Sequence, residues 1–168
     1  MKTGMLLEAE PLRAAAFAPF GYVIETAGHR SRSINQGTCE RFDALAPVDI
    51  VPDGGRPMIS IFRAMPRPLP HRVRILERHP LSTQAFYPLD GHPFLIVVAY
   101  DSGHAVPGQI RAFRAAGNQG VSYHRNTWHH ALLAIGAVSQ FLVVDRDGPG
   151  ANCDQHELDT TVLVTTTA

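Results

Sequence analysis

Two stretches of this chain concentrate groups that can move protons, hold a metal or grip an acid. The first is Tyr123-His124-Arg125-Asn126-Thr127-Trp128-His129-His130, which follows the glycine-rich turn Gly117-Asn118-Gln119-Gly120. It places three imidazoles, a carboxamide, a phenol and the sole tryptophan close together. On a regular strand His124, Asn126, Trp128 and His130 share one face, with Tyr123, Arg125 and His129 opposite. A bulge exchanges every assignment after it. Adjacent strand residues cannot both face one cavity, so one of His129 and His130 is expected to be a packing residue. The second stretch is Glu77-Arg78-His79-Pro80, with Gln84 further on. Glu77 and His79 are two apart and project into the same space, where a carboxylate beside an imidazole suits acid/base work or a metal.

Such groups need a rigid frame, and the chain offers one of strands. It has 168 residues, 45% of them apolar, enough for one domain spanning 1–168 with a substantial core. Only Pro11–Phe17 reads as a helix, with proline in its first turn and Pro19 and Gly21 closing it. Short apolar runs then alternate with turns supplied by thirteen prolines and fourteen glycines. Strands are predicted at 22–25, 39–42, 58–63, 72–79, 84–88, 93–100, 109–114, 121–124, 131–135, 140–145 and 161–164, the pattern of an all-β barrel or sandwich. In 72–79 the face Val73, Ile75, Glu77, His79 turns from apolar to polar, as a barrel wall does towards an open mouth. The face Ile59, Ile61, Arg63 does the same, which puts Arg63 at that mouth, whereas Arg74 and Arg78 are expected in solvent.

Charge narrows the function. Fifteen basic residues balance fifteen acidic ones, so no cationic excess is present to meet a nucleic-acid backbone. No apolar run reaches the roughly 20 residues of a membrane span, and the start has no leader pattern, which predicts a soluble, cytoplasmic protein. Cys39 and Cys153 are too few for a disulfide framework. Lys2 is the sole lysine, leaving fourteen arginines and no internal amine for Schiff-base chemistry.

The two segments, bounded by Gly91 and Gly120, resemble the paired motifs of the cupins, small β-barrels with a site in the mouth. Metal-binding cupins carry His-x-His and then Glu in the first motif. Here those positions read Glu77, His79 and Gln84, with His124 as the second-motif histidine. A metal, if present, would on this likeness be held by Glu77, His79 and His124; the neutral Gln84, a poor ligand, favours a metal-free site. More narrowly, Glu77-Arg78-His79-Pro80-Leu81, Thr83-Gln84-Ala85-Phe86, Asn118-Gln119-Gly120-Val121, Tyr123–His130, Asp145-Arg146 and Asn152-Cys153-Asp154 resemble the ureidoglycolate lyases. The resemblance implies a cupin-like double-stranded β-barrel (jelly roll) with a short N-terminal helix. It also implies a cytoplasmic homodimer that cleaves (S)-ureidoglycolate to glyoxylate and urea in allantoin and purine catabolism, with possible nickel stimulation.

The residues suit that chemistry. Ureidoglycolate carries hydroxyl, carboxylate and ureido nitrogen on one carbon, so its collapse needs a base on the hydroxyl and an acid on the departing nitrogen. No covalent intermediate is required. His124 is the expected leading acid/base group, with Glu77 and His79 beside it. Arg63 is expected to clamp the carboxylate with its planar fork. Gln84 and Asn126 are expected to hold the urea, with Tyr123 and His130 as further substrate contacts. Two rival functions remain on sequence alone: an amidohydrolase releasing ammonia and carbon dioxide, and a cupin that senses a small acid without turnover.

Overall fold

β-Branched and aromatic runs cut by proline and glycine favour strands over helices, and the computed structural model is built almost wholly of them. It describes residues 4–167; Lys2 lies outside them. In chain order the strands are β1 (Met5–Glu8), β2 (Glu10–Pro11), β3 (Gly21–Ile24), β4 (Arg32–Ile34), β5 (Cys39–Arg41), β6 (Arg56–Ala64), β7 (His71–Arg78) and β8 (Gln84–Pro88). They continue as β9 (Phe94–Asp101), β10 (Pro107–Ala115), β11 (Gly120–Tyr123), β12 (Trp128–His129), β13 (Leu133–Ala134), β14 (Ser139–Asp147) and β15 (Asp154–Thr165). One sheet runs β1-β15-β7-β12-β9-β10-β2, with β13 on β9. The second runs β3-β11-β8-β14-β6, and β4 with β5 forms a separate ribbon. This is the all-β, barrel-like architecture the sequence predicts.

β9 explains how the sheets are held. Phe94, Ile96 and Val98 enter one core with Phe86, Val121, Phe141 and Val143 of the smaller sheet. Leu95, Val97 and Ala99 enter a second core with Val73, Leu76, Trp128, Val162 and Val164. A strand buried on both faces needs an unbroken apolar run, which Phe94–Ala99 supplies. β12 is only two residues long, yet it bridges the large sheet, pairing with both β7 and β9.

Four expectations change. The helix is Ala14–Phe17 alone, because Pro11, which has no N–H to donate, sits in the edge strand β2 beside Arg114. The face of β6 nearer the core is Ser60, Phe62, Ala64, with Phe62 against Phe86 though still 40% exposed; Ile59 and Ile61 are 72% and 53% exposed. β7 does not alternate throughout. Val73 and Leu76 are buried while Ile75 is exposed, and β15 opposite it carries a register shift between Glu157 and Val162. Arg78 is also not solvated: it lies over the Trp128 ring at 4.9 Å and bonds Asp154 at 2.9 Å.

Candidate active site

Strand register assembles the site. In β12 His129 stands opposite Glu77 of β7, and in the other sheet Tyr123 of β11 stands opposite Gln84 of β8. Cross-strand partners have neighbouring side chains, so the two pairings bring four functional groups to one end of the barrel. His79, one residue past β7, completes the set. Ligand atoms of Glu77, His79 and His129 all lie within 4.8 Å of one another. The Tyr123 ring stacks on His129 at 4.2 Å.

Main-chain carbonyls set the histidine tautomers. A carbonyl can only accept, so Nδ1–H of His129 donates to Thr127 O at 2.8 Å and Nδ1–H of His79 donates to Asn152 O at 2.6 Å. Each imidazole therefore turns Nε2 towards the shared space. His129 Nε2 is buried with no hydrogen-bond partner and lies 3.7 Å from Glu77 Oε1. His79 Nε2 faces Gln84 Oε1 at 3.2 Å, and Gln84 Nε2 contacts Asp145 Oδ2 at 3.5 Å, which fixes that orientation of the carboxamide. Glu77, His79, His129 and Gln84 thus present acceptor atoms to one another. Such a set is stable with a proton on Nε2 or with a cation among the four. Two imidazoles held through Nδ1 by carbonyls, plus two oxygens, form the donor set of a borderline divalent metal, so the residues fit one.

Burial controls the charges. It pushes the His129 imidazole down to about 3, against the partial offset of the Thr127 bond, and His79 and His130 push the same way. His129 is neutral at pH 7 and acts as an acceptor or ligand rather than a proton carrier. Burial and then Glu77 push the Tyr123 phenol upward, so it stays a donor. Burial raises Asp145 as well, while Gln84 and His79 lower it. Unfolded, His129 titrates near 6.5. Between pH 6.5 and 3 the unfolded chain takes a proton that the folded chain refuses, so stability drops as pH falls, by up to about 1.4 kcal/mol per pH unit from this one group. Urea midpoints measured from pH 7 to 5 should show the loss, and His129→Phe should flatten it.

Glu77 and Gln84 open onto a hollow of about 310 Å³ together with Arg63, Phe62, Phe86 and Leu132. Arg63 is exposed at the rim. His124 and Asn126 lie elsewhere, contrary to expectation. His124 Nε2 bonds Ala18 O at 3.1 Å, and both residues line a separate hollow with Phe20, Tyr100 and Asp101. The cause is a turn: Thr127 N donates to His124 O, Asn126 takes a left-handed φ of 65°, and the strand breaks into β11 and β12. Tyr123 and His129 keep the inward face, so His129, rather than His124, joins Glu77 and His79 in the cluster that could hold a metal. His130 points into a neighbouring hollow beside Glu77, with its Nδ1–H on Ala131 O at 2.7 Å. Asn152 and Asp145, which position His79 and Gln84, carry no signal in the sequence beyond the resemblance.

A family model described as ureidoglycolate lyase matches residues 4–165. The chain belongs to the ureidoglycolate lyase family. It is 50% identical over 165 residues to the ureidoglycolate lyase of Burkholderia mallei (strain NCTC 10229), covering 98% of this chain and 95% of that one. Ureidoglycolate lyase 1 of Rhizobium meliloti (strain 1021) is 50% identical over 159 residues, covering 95% and 93%. The ureidoglycolate lyase of Pseudomonas aeruginosa (strain UCBPP-PA14) is 53% identical over 150 residues, covering 89% of each. Among solved structures, the dTDP-6-deoxy-D-glucose-3,5-epimerase RmlC of Legionella pneumophila aligns with a TM-score of 0.46 at 14% identity, over 86% of this chain and 81% of that chain. Within this ureidoglycolate lyase family chain, no helix among the described residues is long and apolar enough to cross a membrane.

Proposed function

We propose that this chain is a carbon–nitrogen lyase that cleaves (S)-ureidoglycolate to glyoxylate and urea in the hollow over Glu77. The observation that carries the reading is the unpartnered His129 Nε2, close to the ligand atoms of Glu77 and His79 and beside a hollow that Arg63 helps to line. Arg63 pairs with the substrate carboxylate. Glu77 takes the hydroxyl proton, while neutral His129 accepts a hydrogen bond at Nε2 from a ureido N–H. The O–H pair becomes the carbonyl of glyoxylate, the C–N bond breaks, and the proton held by Glu77 passes through His79 Nε2 to the nitrogen to complete urea. Gln84 has one N–H left for the ureido carbonyl, since its other contacts go to His79 and Asp145. Tyr123 stays a neutral donor. The four acceptor groups also fit a divalent cation such as nickel, which when bound supplies Lewis-acid polarisation of substrate oxygens.

The proposal extends to a cytoplasmic homodimer. The edge strand β6 leaves Ile59 and Ile61 exposed, an apolar strip that a second copy would cover. Cytoplasmic residence is supported by the free, exposed thiols of Cys39 and Cys153.

Product analysis tests the activity: purified protein should form glyoxylate and urea in equal amounts. Ammonia with carbon dioxide would show an amidohydrolase instead, and no product at all would leave a binding protein. The clamp is tested by Arg63→Lys, which keeps the charge and loses the planar fork. KM should rise about tenfold or more, as expected for the loss of a two-pronged, charge-assisted contact; unchanged kinetics would remove Arg63 from the site.

A further inference from the structure

A second hollow, of about 350 Å³, borders the first and shares Glu77 and Ala131 with it. Its walls carry Arg67, Arg72, Arg74, His71 and His130, and Glu77 is the one carboxylate among them. The imidazoles of His71 and His130 meet edge to face at 5.1 Å.

Among the described residues, three guanidiniums without an ion pair gather around this one hollow. Elsewhere six have carboxylate partners: Arg32 and Arg41 share Asp43, Arg56 meets Asp147, Arg78 meets Asp154, Arg111 meets Glu10 and Arg125 meets Asp49. None of the ion pairs among the described residues involves Arg67, Arg72 or Arg74. In a chain of zero net charge, three unpaired guanidiniums therefore face one concavity. Burial, then His130 and last Arg67, push the His71 imidazole down. Cations lining a cleft with low-dielectric walls focus the potential and raise the local concentration of anions.

We propose that this second hollow is a vestibule that binds small carboxylates, docking an anionic 2-hydroxy or 2-oxo acid through Arg67, Arg72 and Arg74 at the lip of the reaction hollow. The proposal rests on the reading that ureidoglycolate is cleaved over Glu77, because it assigns the vestibule to the same acid on its way in or its acid product on its way out. Arg63 holds the carboxylate during reaction; the vestibule holds it before or after.

The test is calorimetric titration of the full chain with oxalate, a carboxylate that cannot react, in low-salt buffer. Parent protein, the Arg67→Gln/Arg74→Gln double variant and Arg63→Gln are compared. Arg67 and Arg74 are exposed, so the double variant should keep the parent's melting temperature. The double variant is expected to bind oxalate at least tenfold more weakly, while Arg63→Gln retains binding in the vestibule. In turnover, the double variant should raise KM with little change in kcat and flatten the fall of kcat/KM with added salt. Oxalate binding equal to the parent's in the double variant, or no binding by the parent, would overturn the proposal. Absence of turnover in the parent would strike the lyase reading alone, since the oxalate titration needs no reaction.

Discussion

Glu77→Gln is expected to lower kcat by a hundredfold or more while leaving KM within a few-fold. The substitution keeps volume and hydrogen-bonding reach and removes only the basicity of the carboxylate. General-base help of this type contributes roughly 10²- to 10⁴-fold, and among the described residues no other carboxylate belongs to the cluster with His79 and His129. The variant should also fold, because Glu77 is half-buried, faces two hollows and has no short ion pair. Steady-state glyoxylate release decides the matter. A kcat near the parent's would move the proton from Glu77 to another group, with His79 the next to test.

His129→Phe is expected to cost activity on the same scale, about a hundredfold, as the loss of a positioning contact does, and to make the protein more resistant to acid. Phenylalanine retains the stack on Tyr123 at 4.2 Å while deleting the buried, unpartnered Nε2 aimed at the site. It also removes the Nδ1–H donor to Thr127 O, leaving that carbonyl without a side-chain partner. A modest loss of stability at neutral pH, on the order of 1 kcal/mol, should therefore accompany the lost activity. Near pH 5 that loss should shrink or reverse, because the parent must exclude a proton that the variant cannot take up. His124→Asn, on the outer side, should leave kcat within a few-fold of the parent. The reverse ordering of these two variants in the glyoxylate assay would return the chemistry to His124.

The strand framework was legible because alternation and proline or glycine punctuation are local signals. β8 occupies the residues predicted for it, Gln84–Pro88, and β9 follows from its apolar run. β15 was mostly hidden: Asp154–Thr160 alternates too weakly in polarity to read as strand, and its pairing with β7 and β1 is long-range. Within the site, Glu77 and His79 were readable from their spacing at the end of one strand. The choice between the faces of Tyr123–His130 was not. Parity along a strand says which residues share a side, and here it groups Tyr123 with His129 correctly. It does not say which side is inside, because that depends on where β11 pairs with β8 and β12 with β7. The same ambiguity turned Ile59 and Ile61 outward. Asp145 and Asn152 act through Gln84 and His79 across sequence gaps that no local pattern encodes.

The account turns on where the acid product sits. A crystal of the purified protein soaked with glyoxylate should show it over Glu77, its carboxylate on Arg63 and its carbonyl carbon beside His129 Nε2. Glyoxylate found instead between His124, Tyr100 and Asp101, with the hollow over Glu77 holding none, would contradict it.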